Sequence, residues 1–175
     1  WHTVTYRGVA QNPPGSNDPT NWYEFIFGLL HSGEVLIDDV SVLEDPSGTR
    51  IERVLNGNFS GGANNWRLLG NHGQHGLSGV ISEPGNPGNN VLKVVATGTT
   101  EHMGNHVVTT FAGSAPIVNG REYEISLRAK WLSGSPQLHT RLYFNRLART
   151  TIVPTPSTAG TPGQPNSQRV ANIGP

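Results

Sequence analysis

Polar side chains of several hydrogen-bonding types alternate with apolar ones between residues 137 and 145. Because successive side chains of a strand point to opposite faces, the polar ones share a single face. Amide, imidazole and guanidinium groups can hydrogen-bond sugar hydroxyls, and an aromatic ring can stack on the C–H face of a sugar. We therefore predict a glycan-binding face, the alternative being an ordinary solvated face. Its residues are Gln137, His139, Arg141, Tyr143 and Asn145.

The four Trp residues do not have equal chances of reaching a ligand. Trp131 shares an apolar face with Tyr123, so we expect it to be structural. Trp22 and Trp1 are less constrained by their neighbours. Trp22 is followed by Tyr23 and comes after a Pro-rich loop, and we predict that it adds a stacking platform to the glycan-binding residues.

The spacing of the histidines suggests a metal site, but no other feature of the sequence supports one. His102 and His106 lie four residues apart, and a loop carries His72 and His75. Zinc needs three or four ligands in fixed geometry, and no His-Glu-x-x-His motif is present. We expect loop and rim histidines. An enzyme with a metal held by His102, His106 and His139 is the alternative.

Catalytic motifs are absent from the sequence. It contains no Gly-x-Ser-x-Gly elbow, no Walker loop and no dinucleotide fingerprint. Glu122 and Glu124 lie on the polar face of an alternating run, where solvated charges are the default. We therefore predict that the protein is not an enzyme.

The elements that must position these residues are short strands. With 22 Gly and 13 Pro among 175 residues, the chain is divided by frequent turns, which excludes long helices. Alternation predicts strands over residues 2–6, 23–30, 35–42, 91–96, 106–111, 123–131 and 137–145. The turn Ser133-Gly134-Ser135-Pro136 predicts a hairpin between the last two. Many short strands of this kind are typical of a β-sandwich or barrel.

Composition excludes several classes of partner. Twelve basic residues balance twelve acidic ones, so neither nucleic acid nor an anionic membrane is an expected partner. The sequence has no Cys, which excludes a disulfide framework and Cys-based metal sites. No apolar run approaches the length of a membrane span. We expect no membrane insertion.

Residues 154–175 form a Pro- and Gly-rich C-terminal arm. An arm of this composition has little apolar surface to bury against its conformational entropy. If it is ordered, a surface of its own domain or of a neighbouring chain must hold it.

Two short motifs give the chain a resemblance to a known family. Asn56-Gly57-Asn58-Phe59 followed by Trp66 resembles the opening of jelly-roll carbohydrate-binding modules of families 4, 9 and 22. The segment Val35-Leu36-Ile37-Asp38-Asp39-Val40-Ser41-Val42 resembles their closing strand, and residues 120–131 are similar to their middle strands. Such modules occur in large bacterial surface proteins, so the resemblance implies an extracellular or cell-surface location. The resemblance implies an antiparallel jelly-roll β-sandwich, and a Trp66 that packs as a structural residue.

The resemblance also implies a structural calcium ion. Family members often hold Ca²⁺ with oxygen ligands near the first and last strands, and Asp38 and Asp39 match the acidic pair of the family. Ser60 replaces the family's Glu after Phe, which removes one ligand. The alternative is that the Asp pair forms turn hydrogen bonds.

The two motifs occur in reversed order. The closing strands lie in residues 1–43, whereas the opening and middle strands lie in residues 44–153. Three arrangements satisfy this order: a circular permutation within one chain, strand exchange between chains, or a fragment that spans two tandem modules.

These observations predict a non-catalytic module that recognises polysaccharide by aromatic stacking and hydroxyl hydrogen bonds. The alternative is a structural subunit of an extracellular filament or surface assembly, built by strand exchange in a head-to-tail polymer or other homo-oligomer.

Overall fold

The computed structural model describes residues 1–10, 23–29, 31–68, 77–98, 107–118, 120–142 and 169–174. Within these residues the regular structure is β-strand, apart from a short 3-10 turn at Ala112–Ser114 and one residue of 3-10 conformation at Leu77. The strands form two antiparallel sheets whose inner faces share one core. The predicted all-β antiparallel sandwich is confirmed.

Eleven strands occur in the described residues. They are β1 (His2–Val9), β2 (Glu24–Leu29), β3 (Gly33–Glu44), β4 (Ile51–Glu52), β5 (Trp66–Leu68), β6 (Gly79–Glu83), β7 (Asn86–Ala96), β8 (Val107–Thr110), β9 (Glu122–Gly134), β10 (Gln137–Leu142) and β11 (Arg169–Asn172). The first sheet has the order β1-β9-β3-β7-β6, with β4 paired to β3. The second sheet has the order β11-β10-β2-β8-β5.

Alternating side chains of both sheets fill the space between them. In β9 the inward residues are Tyr123, Ile125, Leu127 and Ala129, and in β2 they are Phe25, Phe27 and Leu29. This period of two is what strands with one core-facing side require. In β10 the buried residues are Leu138, Thr140 and Leu142, which confirms the apolar face predicted for this strand.

The predicted hairpin between residues 123–131 and 137–145 is wrong. β9 pairs with β1 and β3 in the first sheet, whereas β10 pairs with β2 and β11 in the second. The connecting segment crosses between the sheets, with Gly134 at a φ of 71° and the Ser135 N–H donating to Ser32 O at 2.9 Å. A Cβ at position 134 would lie 2.4 Å from Ser32 O. Turn residues mark a change of direction without specifying which sheet the next strand joins.

Strand β3 occupies the centre of the first sheet. It pairs antiparallel with β9 on one side and with β7 on the other, and β1 pairs with the far edge of β9. The first 44 residues of the chain therefore supply a central strand and an edge strand to a sheet that the later residues complete.

The described end of the C-terminal arm also joins the sandwich. β11 pairs antiparallel with β10, from Gln137 opposite Asn172 to Thr140 opposite Arg169. The next residue, Ile173, is fully buried, and its N–H donates to Pro136 O at 2.9 Å. A surface of the same chain thus holds residues 169–174.

Candidate functional site

The predicted glycan-binding strand is only partly described. β10 places residues 137, 139 and 141 at alternate positions, with His139 paired to Gly28 of β2. The side chain of Gln137 is half-buried. Outside the described residues lie Tyr143, Asn145 and Trp22, together with the side chains of His139 and Arg141.

The opening and closing motifs meet in the fold. The Val40 N–H of β3 donates to Gly57 O at 2.9 Å. A Cβ at position 57 would lie 1.9 Å from Val40 O, so only glycine permits this approach. Two motifs that occur in reversed order along the chain are thereby joined directly.

Asn56 organises the loop that follows this junction. Its Nδ2 donates to Gly62 O at 2.9 Å and to Asn64 O at 2.8 Å, and its Oδ1 accepts from the Gly61 N–H at 2.9 Å. The Asn56 backbone carbonyl accepts from the Trp66 indole at 3.0 Å. These bonds hold residues 56–66 in one conformation.

Trp66 packs in the core, as the resemblance predicts. It is buried, and its ring centroid lies 5.3 Å from that of Phe59 and 5.6 Å from that of Phe27. The Trp of the opening motif is therefore structural.

An open pocket of about 390 Å³ lies beside the junction of the motifs. Its acidic wall is Asp39 and Glu52. Both carboxylate oxygens of Glu52 already accept hydrogen bonds within the protein. Its Oε1 accepts from the N–H groups of Val42 and Val54, and its Oε2 accepts from the Ser41 hydroxyl. The other lining residues are Val40, Ser41, Val54, Asn56, Gly57 and Asn58.

Asp38 and Asp39 have different environments because a β-bulge separates them. The register of β3 against β9 shifts between Asp38 and Ser41, and Asp39 adopts a φ of 50°. Asp38 is 1% exposed on the outer face of the first sheet. Asp39 lines the pocket, and its side chain is 57% exposed.

The Asp38 carboxylate is satisfied by N–H donors. Its Oδ2 accepts from Arg128 Nη2 at 2.6 Å and from Asn89 Nδ2 at 2.9 Å, while its Oδ1 accepts from the Asp39 N–H at 2.8 Å. A calcium ligand needs oxygen lone pairs directed at the ion. Because three N–H donors already point at its oxygens, the Asp38 carboxylate has little acceptor capacity left for the calcium role that the resemblance implies.

Arg128 supplies the positive charge between the two Asp residues. Its Nε lies 2.8 Å from Asp39 Oδ2, an ionic contact without hydrogen-bond geometry. Burial alone would lower the pKa of Arg128, but the hydrogen bond to Asp38 and the charges of Asp39 and Asp38 raise it overall. The guanidinium is therefore charged near neutral pH.

Trp1 lies over this ion-pair cluster, an arrangement that the sequence did not reveal. The guanidinium carbon of Arg128 lies 4.9 Å from the centroid of the Trp1 ring, within cation–π range. The Trp1 indole N–H donates to Glu83 Oε1 at 2.8 Å. Only the strand pairing reveals these contacts, because Trp1 and Glu83 are 82 positions apart.

Two Asn side chains bind the other oxygen of Glu83. Its Oε2 accepts from Asn86 Nδ2 at 3.1 Å and from Asn89 Nδ2 at 3.2 Å. The hydrogen bond from Asn89 is the main cause of a lowered pKa at Glu83, with further contributions from Trp1 and Asn86. Glu83 is therefore ionised at neutral pH.

A second ionic cluster is structural. The fully buried Glu44 accepts from Arg53 Nε at 2.7 Å and pairs with Arg121 through its other oxygen. Its two oxygens are thus occupied by Arg side chains that tie β3 to the segments before Val54 and before β9. This arrangement satisfies a buried charge and leaves no free carboxylate for chemistry.

The described structure leaves the alternative of a histidine metal site largely untested. His72, His75, His102 and His106 lie outside the described residues. Within the part of the chain that is described, no group of three or more His, Asp or Glu side chains could hold a metal ion. Nor is any helix there long and apolar enough to cross a membrane.

Comparisons of the chain with known proteins gave no match. The chain matches no protein-family model, no curated protein and no solved structure.

Proposed function

We propose that this chain is a non-catalytic, extracellular or surface-displayed module that binds polysaccharide by aromatic stacking and hydroxyl hydrogen bonds. The observation that carries the proposal is the junction of the Asn56-Gly57-Asn58-Phe59 motif with residues 35–42. A module of the carbohydrate-binding kind needs its opening and closing strands side by side. The junction supports that relationship despite the reversed order of the motifs.

The proposed binding surface includes alternate positions of β10. Buried Leu138, Thr140 and Leu142 anchor the strand, and β2 and β11 flank it on both sides. A strand held in this way is a rigid support for side chains that must meet a ligand in fixed geometry. The proposed ligand contacts are Gln137, His139, Arg141, Tyr143 and Asn145, with Trp22 as a further stacking residue.

Binding to a panel of soluble and insoluble glycans tests this function. We expect one glycan class to bind the wild type, with Tyr143→Ala weakening binding about fivefold because a stacked ring contributes about 1 kcal/mol. Glu122→Ala, on β9 of the other sheet, is the matched control and should bind normally. Absence of binding to every glycan, measured by calorimetry and affinity electrophoresis, would refute the function.

The proposal includes a structural calcium ion only with Asp39 as its carboxylate ligand. This carboxylate lines the pocket beside the motif junction, whereas Asp38 is taken up by Arg128 and Asn89. Ca²⁺ would supply structural cross-linking there and no catalytic chemistry. We expect added Ca²⁺ to raise the thermal midpoint of the wild type but not of Asp39→Asn. Equal midpoints in calcium and in chelator would exclude the ion.

Assembly by strand pairing is the second proposal. In the described structure β1 and β6 are the edges of one sheet and β5 and β11 are the edges of the other. Edge strands present unpaired N–H and C=O groups to a neighbouring chain. The eight-residue β1 is the longest of these edges. Light scattering over a range of concentrations should show oligomers, and a constant monomer mass would refute assembly.

A further inference from the structure

The outer face of the first sheet carries an exposed aromatic ring in a polar surround. We define the Trp1 patch by an indole, two carboxylates, an amide and a guanidinium that lie together there. These residues come from distant parts of the chain and are Trp1, Asp39, Glu83, Asn86 and Arg128. No motif of the sequence groups them, and the β10 surface lies in the other sheet.

Two contacts fix the orientation of the Trp1 ring. The Arg128 guanidinium lies 4.9 Å from the ring centroid on one side, and Glu83 accepts from the indole N–H at 2.8 Å at the edge. Trp1 nevertheless remains 39% exposed. A ring held by its edge and covered on one face offers its other face to a ligand at low cost in conformational entropy.

Arg128 is itself held in place beneath the ring. Asp38 and Asp39 pair with it, and Asn89 links Asp38 to Glu83. The chain of contacts from Trp1 through Arg128, Asp38 and Asn89 to Glu83 includes residues from β9, β3, β7 and β6. The platform is therefore supported by the sheet and not by a loop.

The charges of the patch select the kind of ligand. The two carboxylates of the patch, Asp39 and Glu83, together with the buried Asp38 beneath it, outnumber the guanidinium of Arg128. The lowered pKa of Glu83 keeps its carboxylate charged near neutral pH. A polysaccharide that bears uronate or sulfate groups would meet repulsion here, whereas an uncharged one would not.

We propose that the Trp1 patch is a second glycan subsite that takes a neutral pyranose residue, an inference that rests on the proposed polysaccharide-binding function. The C–H face of the sugar stacks on the open face of the indole. The exposed Asp39 carboxylate and the exposed Asn86 amide accept and donate hydrogen bonds to its hydroxyl groups. Uncharged polymers of pyranose sugars are the substrate class, and polyuronates are excluded by charge.

A purely structural Trp1 makes a different prediction. The contacts of Trp1 with Arg128 and Glu83 also join β1 to the opposite edge of the sheet, so the ring could act only as a clamp. A clamp would lower stability when removed and would leave glycan affinity unchanged. The two roles therefore separate in a paired measurement of stability and binding.

Glycan binding and thermal unfolding are both measured for the wild type, Trp1→Ala and Trp1→Phe. The glycan probes are soluble β-glucan, xylan, galactomannan and polygalacturonate. We expect Trp1→Ala to weaken binding of the neutral polymer about tenfold and Trp1→Phe to weaken it about threefold, because Phe keeps a stacking face. Trp131→Phe, at a half-buried indole elsewhere on β9, is the control and should bind as the wild type does.

The outcomes distinguish the subsite from the function. If the wild type binds glycan but Trp1→Ala binds equally well, the subsite is refuted and the proposed function stands. If polygalacturonate binds more tightly than the neutral polymers, the ligand class is wrong. If the wild type binds no glycan, both proposals fail. Asp39→Asn, which keeps the shape and removes a charge, should raise polygalacturonate binding if repulsion is the cause of selectivity.

Discussion

Gly57 is the residue on which the junction of the two motifs depends. Its carbonyl accepts from the Val40 N–H, and no side chain fits between its Cα and Val40 O. The glycine of the opening motif is therefore explained by a close approach of two backbones. The same approach would be impossible for any residue with a Cβ.

Replacement of Gly57 by Ala should destabilise the protein by about 2–3 kcal/mol, because the backbones must separate to admit the methyl group. Urea unfolding measures the change. Gly79→Ala is the control, since a Cβ at that position meets nothing within 4 Å, and it should change stability little. Equal stability of the two variants would show that the junction adapts at no cost.

The buried Tyr123 makes the stability of the protein depend on pH in the alkaline range. Burial raises its pKa to about 12, and its hydroxyl accepts from the Val118 N–H at 2.9 Å. A tyrosine whose pKa is higher in the folded state contributes stability that is complete below the unfolded value of about 10 and is lost as pH rises toward 12.

We expect the wild type to lose stability steadily between pH 10 and about 12, whereas Tyr123→Phe should show a shallower decline. At neutral pH the variant should be about 1 kcal/mol less stable, because the Val118 N–H loses its acceptor. Urea midpoints measured across this pH range give both effects. Parallel curves for the two proteins would contradict the assignment.

Sequence reasoning identified the Asp pair and the motif that meets it, but not the partners of Asp38. The acidic pair and the opening motif are local patterns, so they are visible in the sequence. Arg128 is 90 positions from Asp38, and nothing local specifies that β9 pairs with β3. Trp1 was singled out as less constrained, but its position over Arg128 follows from the same pairing.

At the scale of elements, β11 shows how a short strand can escape prediction. Its four residues lie within a Pro- and Gly-rich arm, so composition hides the pattern. Long runs with strict alternation or many β-branched residues, such as β3 and β9, were predicted correctly as strands. The partner of each strand was not, because hydrophobic alternation specifies a face and leaves the neighbour open.

Ile173 should contribute strongly to the stability of the second sheet, because it is fully buried just after β11. We expect Ile173→Ala to cost about 2–4 kcal/mol through lost burial and a residual cavity. Val118→Ala, at an exposed position, serves as the control and should cost little. Thermal or urea unfolding measures both, and an unchanged Ile173→Ala would show that β11 does not dock in solution.

At the scale of the whole molecule, the sandwich cannot be divided at the boundary between its closing and opening strands. β3 lies between β9 and β7, so its removal would expose two strand edges and the core beneath them. The reversed order of the motifs left three arrangements of the two parts open. What the sequence could not specify was how they pair, since pairing within one chain and between chains uses the same contacts.

A chain of residues 45–175 should therefore lack a cooperative unfolding transition. Addition of a separate peptide of residues 1–44 should restore it by supplying β1, β2 and β3. Circular dichroism during heating measures the transition, and the intact chain is the control. A cooperative transition of residues 45–175 alone would show that the later strands form a complete domain.

The pairing of β3 with β9 also determines when the protein can fold. Asp38 meets Arg128 across 90 positions of chain. At roughly 5–20 residues per second of synthesis, the ribosome needs about 5–20 s to supply the partner of β3. During that time the twelve residues of β3 have no strand to pair with on the β9 side. The first strands must therefore wait until β9 has been synthesised, and the first sheet cannot be completed before that point of chain growth.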